Sequence, residues 1–200
     1  MRKRAYSGTV TYMSILERLL EISGEQHNLF TVAQARQAGV RSDNLRRLAA
    51  QGRVERRCQG VYRIEAAPYD EFADYMEATL WAKQRGVISG PSALALRDLA
   101  DVNPSRIHLV VPPGYNPRRS DRSQYDITRT ALGADELDEV DGIPTVVTSV
   151  AIRQSIDANV PGDLIEQAII RALARELIGN TTAARLRVQM YDRNTRQHTT

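Results

Sequence analysis

Seven arginines, Arg41, Arg46, Arg47, Arg53, Arg56, Arg57 and Arg63, fall within 23 residues, where Asp43 and Glu55 are the acids, a local net charge of +5. A guanidinium presents five donors in a planar fork, suited to bidentate pairing with a guanine edge and to gripping phosphate. The chemistry of such a cluster is recognition of a polyanion, with DNA the first expectation. The rest of the chain offers little reactive chemistry. It has no glycine-rich phosphate loop, no metal-binding histidine pair and no Gly-x-Ser-x-Gly elbow. Ser89-Gly90-Pro91-Ser92 carries two hydroxyls, but its simplest role is a strand-to-helix turn with a helix cap. Glu77 and Lys83 stand without the clustered carboxylates that a nuclease needs. His27 and His108 are far apart and His198 lies in a polar end, so neither a metal nor an organic cofactor is expected. A single cysteine, Cys58, excludes an internal disulfide framework and a cysteine-based zinc site, and is read as a small packing residue.

The elements that must position the arginines can be read from spacing. A first helix is expected from Tyr12 to Ile22, with Met13, Leu16, Leu19 and Leu20 on one face and Gly24 as its stop. Thr31 caps a short helix over Val32 to Ala38, ended by Gly39. Ser42 caps the next, which runs to about Gln51 with Leu45, Leu48 and Ala49 inward and Gly52 behind it. Ala35 is small enough for a second helix to cross it, Gly39 can take the positive φ of a tight inter-helix turn, and Val40 can plug that turn. This is the packing pattern of a helix-turn-helix. Val54-Glu55-Arg56-Arg57 and Val61-Tyr62-Arg63-Ile64 then alternate as strands around Cys58-Gln59-Gly60, so a hairpin wing follows the recognition helix. In that frame Ser42, Asn44, Arg46 and Arg47 lie near base edges or phosphates of the major groove, and Arg53, Arg56, Arg57 and Arg63 grip the backbone.

The whole chain has 200 residues, 42% hydrophobic and 26% charged, with a formal net charge of +3. Of its 27 basic residues 25 are arginine, partly a trace of genome composition. The small total hides an uneven distribution: residues 1–65 carry net +6, residues 66–160 net −5, and the last forty net +2. No stretch approaches the roughly 20 apolar residues of a membrane-spanning helix, and Thr9–Glu17 is too polar for a signal-peptide core. A soluble cytoplasmic protein is expected, with no membrane partner.

Beyond Pro68 the expected elements alternate in type. They are a helix over Asp70 to Arg85, a short strand Val87-Ile88-Ser89, a helix from Ser92 through Leu99, and a strand Ile107–Val111. Within that strand Ile107, Leu109 and Val111 share one face. Tyr115 to Ser123, with Arg118 and Arg119, reads as a loop or hairpin tip, and Tyr125–Arg129 as an edge strand. Asp135, Glu136, Asp138, Glu139 and Asp141 form an acidic run that is either a solvated surface or a face for a basic partner. Val146-Val147 is a strand, and Ser149–Ala158 and Gly162–Leu177 are helices, the second striped by Leu164, Ala168, Ile169, Ala172 and Leu173. A short helix to about Tyr191 precedes a frayed tail. The expected fold is α+β: a winged helix-turn-helix at residues 1–66, a mixed α/β domain with a small sheet and several helices at 67–191, and a flexible tail at 192–200.

The ordered set of a winged head, Ile88-Ser89, Ala93-Leu94, Leu99, Asn103–Pro112, Asp141-Gly142-Ile143-Pro144, Val147-Thr148 and an apolar helix Leu164–Leu173 resembles AbiEi-type antitoxins of abortive-infection toxin–antitoxin systems, short actinobacterial members in particular. It departs from that pattern at Gly90-Pro91 and near Gln154-Ser155. The resemblance implies a protein that binds inverted repeats in its own promoter, represses its operon and counters a nucleotidyltransferase-like toxin acting on RNA. It further implies no catalytic residues and no cofactor, and allows a homodimer on DNA or with the toxin. Two other readings stay open: a winged-helix regulator whose second domain senses a ligand or dimerises with no toxin, and an enzyme, either a nuclease or a toxin-modifying factor.

Overall fold

The computed structural model describes residues 14–68, 70–117 and 122–197. The expected helix start at Tyr12 and Met13, the loop arginines Arg118 and Arg119, and His198 lie outside these residues.

In the N-terminal part the chain runs through helix α1 (Ile15–Ser23), strand β1 (Leu29–Thr31), helices α2 (Val32–Gln37) and α3 (Ser42–Ala50), and the hairpin β2 (Val54–Cys58) and β3 (Val61–Ile64). Two capping boxes fix the helix starts: Ser14 and Glu17 exchange backbone-to-side-chain hydrogen bonds at α1, and Thr31 and Gln34 do so at α2. Gly39 takes φ +78° and Val40 N–H closes the turn onto Ala35 O at 2.8 Å, with Ala35 fully buried under the helix crossing. Leu19, Phe30, Ala35, Val40, Leu45, Leu48, Val54 and Ile64 make the small core of this winged helix-turn-helix.

Three local expectations differ. Leu20 is exposed, because the inward face of α1 is set by Ile15, Leu19 and Ile22. The cap of α3 is Arg41, which makes no side-chain capping bond, and Ser42 is the first helical residue. The wing has a third strand, since β1 pairs antiparallel with β3 and the sheet order is β1-β3-β2.

The second part adds α4 (Ala73–Trp81), β4 (Val87–Ile88), α5 (Gly90–Leu96), β5 (Ile107–Val111), β6 (Tyr125–Arg129), β7 (Leu137–Val140), β8 (Ile143–Val146), α6 (Thr148–Asp157), α7 (Gly162–Ala174) and α8 (Asn180–Gln197). Its five strands are ordered β6-β5-β4-β8-β7. β5 and β6 run parallel, so the segment between them is a crossover and not a hairpin tip. β5 is buried at Leu109, Val110 and Val111, covering both of its faces, because it lies inside the sheet. α4 is shorter at both ends than the expected Asp70–Arg85; Lys83 and Gln84 take positive φ and end it.

The acidic run contains a strand, β7, that alternation of hydrophobic residues did not reveal, because all four of its residues stay exposed or half-buried at a sheet edge. Its outward amides are used internally: Leu137 N–H donates to Ala134 O, and Glu139 N–H to Asp138 Oδ1 at 2.9 Å, which protects the edge. The buried stripe of α7 runs through Ile165, with Leu164 half-buried. The expected tail is corrected as well. Asp192–Gln197 continues α8, and Arg193 Nη1 donates to Ile156 O and Val160 O, each at 2.9 Å, tying the helix to the end of α6.

α4 carries the connection between the two parts. Leu29, Cys58 and Val61 of the wing sheet belong to the same buried cluster as Met76, Leu80 and Trp81 of α4 and the strands of the larger sheet. Trp81 is fully buried against Tyr125, ring centroids 4.4 Å apart. Gly90 N–H donates to Gln154 Oε1 at 3.0 Å, which ties the start of α5 to α6.

Candidate nucleic-acid interface

Helix α3 presents one face to the core through Leu45 and Leu48 and the other to solvent. Ser42, Arg46 and Arg47 lie on that outer face and Asn44 is half-buried beside it. Arg46 Nη1 donates to Asp43 Oδ1 at 3.0 Å, and Arg41 approaches the same carboxylate at 4.0 Å. All three side chains are almost fully solvated, so these pairs are weak and give way readily to a stronger anion. Arg53 starts the wing where its N–H donates to Leu48 O at 2.9 Å, which fixes the corner between α3 and β2. Among the described residues the side chains of Arg47, Arg53 and Arg56 make no hydrogen bond or ion pair, and all three are exposed.

Arg57 and Arg63 are placed otherwise than the spacing implied. A register shift between Arg56 and Cys58 breaks the alternation of β2. Arg57 Nε donates to Glu77 Oε2 of α4 at 3.0 Å, with Asp74 and Glu55 at 3.5 Å. Arg63 Nη2 donates to Ala67 O at 3.0 Å and Pro68 O at 3.2 Å and holds the connection out of the wing. The strand pattern told which way these residues alternate, not that α4 would bring carboxylates to one of them.

Glu77 is buried, and burial pushes its carboxyl above the usual range while Arg57 pulls it back. Removing Arg57 leaves that acid buried and unpaired. Arg57→Leu is therefore expected to lower stability by roughly 1–3 kcal/mol, a figure reduced for the one-third exposure of Arg57, and Arg57→Leu with Glu77→Leu to recover most of it. Urea denaturation of the two variants measures this.

His27, which the sequence left without a neighbourhood, has one. With φ +51° it turns its ring between the two parts, Nδ1 2.6 Å from Asp70 Oδ2 and Nε2 2.7 Å from Asp141 O. A carboxylate and a backbone carbonyl are both acceptors, so both contacts are hydrogen bonds only when both ring nitrogens carry protons. At Asp70, burial works upward but the bonds from His27 and Phe72 N–H prevail and hold the carboxyl below the ordinary aspartate range. Its folded value lies below the unfolded one. Its contribution is thus full above the unfolded value and lost as pH falls through the lowered folded value. Urea midpoints measured from about pH 5 down to about pH 2 are expected to fall less in Asp70→Asn than in the parent.

Ser92, His108 and Asp126 line up without forming a nucleophile. Ser92 Oγ lies 3.1 Å from His108 Nδ1, and His108 Nε2 lies 3.8 Å from Asp126 Oδ2. Ser92 is fully buried and its Oγ already accepts from His108 N–H at 2.9 Å. Burial pushes the His108 ring below its ordinary value, with Asp126 opposing in part. The group packs the start of α5 against β5, and Ser89, at the cap position, makes no side-chain cap bond. Among the described residues no cluster of three metal-ligating side chains is present, and no helix is long and apolar enough to cross a membrane.

The acidic run is partly spent inside the fold. Glu136 pairs with Arg153 at 2.9 Å and Asp138 with Arg97 at 2.7 Å. Glu139 and Asp141 instead line an open groove of about 1150 Å³ between α1, α4 and the β7–β8 turn, together with Glu21, Glu25 and Asp70.

Comparison with known proteins adds a family. Residues 17–64, the helix-turn-helix and its wing, match the family described as "Transcriptional regulator, AbiEi antitoxin". None of the curated proteins matches the sequence. Among solved structures, the chain is similar to the RV2827C protein from Mycobacterium tuberculosis at 16% identity, covering 84% of this chain and 80% of that one with a TM-score of 0.43.

Proposed function

We propose, from the match of residues 17–64 to the family described as "Transcriptional regulator, AbiEi antitoxin", an autoregulating antitoxin. Its winged head binds inverted repeats in its own promoter and represses the operon, and residues 67–191 counter a nucleotidyltransferase-like toxin in the cytoplasm. The observation that carries the DNA-binding half is the set of outward arginines on one rigid scaffold: Arg46 and Arg47 on α3, Arg53 and Arg56 on the wing. With α3 in the major groove, Ser42, Asn44, Arg46 and Arg47 approach base edges, where each bidentate pair discriminates by about 1–3 kcal/mol. Arg53 and Arg56 meet phosphates flanking it.

Binding to a labelled fragment of its own upstream region, against a scrambled fragment of equal length, tests the proposal. Selective binding that Arg46→Ala weakens by about 5- to 150-fold on the specific fragment alone supports base reading. Equal weakening on both fragments makes Arg46 a phosphate contact, and no selectivity at all rejects operator recognition. Co-expression with the adjacent gene, scored by growth rescue, tests the toxin half separately.

A further inference from the structure

β6 and β7 are the two outer strands of the larger sheet, so the connection 130–136 between them has to cross β5, β4 and β8. Where it crosses, it leaves a cavity of about 270 Å³. Val87 and Val110 are partners in the β4–β5 register, so their side chains stand together on one face and form the floor. Pro112 after β5, Leu132 of the connection and Leu137 of β7 form the walls, and Leu137 is 45% exposed. Among the described residues no carboxylate lines the cavity, and its one charged lining residue is Arg85. The Arg85 guanidinium lies over Tyr115, 5.2 Å from the ring centre, and Tyr115 OH donates to Ala82 O at 3.0 Å. Stacking on a ring that is itself held in place orients the guanidinium and leaves its edge N–H groups unused. Among the described residues it makes no hydrogen bond or ion pair.

We propose that this cavity binds a small apolar monocarboxylate, its branched or ring-shaped body between Val87, Leu132 and Leu137 and its carboxylate paired with Arg85. The planar fork of an arginine matches both oxygens of a carboxylate. One guanidinium balances one negative charge. A phosphate monoester would bring nearly two and leave the excess against apolar walls. The size of the ligand follows from the volume, which is at the small end of ligand pockets, roughly 300 to 1,000 Å³. Apolar walls with one fixed polar group divide the work: burial of the body supplies affinity, and Arg85 selects the charged form. None of the lining residues belongs to the winged head, so the site rests neither on DNA binding nor on a toxin.

Nuclear magnetic resonance titration of the full chain, with isotope-labelled valine and leucine methyl groups, tests the site. The added acids are isocaproate and benzoate, and their amides are the uncharged controls. At least one acid is expected to shift the methyls of Val87, Val110, Leu132 and Leu137 and to saturate at about millimolar concentration. Its amide is expected to bind about tenfold or more weakly. Arg85→Gln, a change at an exposed position, is expected to abolish the preference for acid over amide. Leu137→Ser is expected to weaken acid and amide alike. The proposal is overturned by the absence of a saturating shift at these methyls with either acid. An amide that binds as well as its acid, or a preference that survives Arg85→Gln, overturns it too. A short peptide ending in leucine that saturates the same methyls at lower concentration than the free acids overturns it in favour of a protein terminus.

Discussion

Alanine at Arg47, Arg53 and Arg56 together is expected to weaken operator binding roughly a hundredfold or more at low salt and to flatten its salt dependence. Each phosphate that an arginine neutralises releases condensed counterions and steepens the plot of log affinity against log salt by about 0.9. Loss of the two phosphate contacts, Arg53 and Arg56, therefore reduces the slope by about 1.8, and loss of Arg47 costs affinity at a base edge. These arginines are the fitting choice because they are exposed and hold no partner among the described residues. No internal pairing has to be broken before DNA binds, and none is left stranded when the side chains are removed. Arg57→Ala and Arg63→Ala supply the contrast. Their guanidinium groups are held by Glu77 and by the Ala67 and Pro68 carbonyls, so they are expected to cost stability and leave the slope unchanged. Fluorescence anisotropy with labelled operator across a salt series reads both quantities. A slope that does not move in the triple variant, or that moves as much in Arg57→Ala, contradicts this assignment of the interface.

Trp81→Ala is expected to be the most destabilising single change, at about 3–5 kcal/mol. Trp81 is fully buried, packs its ring at a tilt against Tyr125, and sits on the helix that lies between the wing sheet and the five-stranded sheet. An alanine there leaves a cavity that two rigid sheets cannot close. Because Leu29, Cys58 and Val61 share that buried cluster, the loss is expected to reach the head as well. Trp81 is the chain's one tryptophan, so fluorescence cannot follow the variant, and the measurement is hydrogen exchange with circular dichroism in urea. Amides of β1 and β3 are expected to lose protection together with those of β5 and β8. If the wing amides kept their protection while the larger sheet lost it, the head would be an independent unit and the shared core would not couple them.

The two predictions differ in how much of their basis could be read from residues alone. The outward arginines of α3 and the wing were legible because a helix of period 3.6 with Leu45 and Leu48 inward must turn Arg46 and Arg47 outward. The fates of Arg57 and Arg63 were not, since each depends on a segment met only after the chain has left the wing. β7 was hidden for a different reason: an edge strand facing water shows no apolar alternation. The length of α8 was hidden because its last turns are tied by Arg193 to carbonyls of Ile156 in α6 and Val160 just beyond it, bonds that leave no local mark in a polar stretch.

What the sequence by itself determined is the part built from interactions a few residues apart. Thr31 caps with Gln34, Gly39 turns with positive φ, Ala35 and Val40 close the helix crossing, and Gly60 turns the hairpin at φ +85°. Such signals are complete within one or two turns of chain, so the winged head and its basic face follow from them. The tertiary structure alone decided the pairings across long separations. It made β5 and β6 parallel, brought Glu77 to Arg57, and set His27 between Asp70 and the Asp141 carbonyl. A guanidinium has the same local sequence whether it faces solvent or a buried carboxylate. Which it faces is settled only when distant elements pack, and that packing separates the arginines left in solvent from those that hold the protein together.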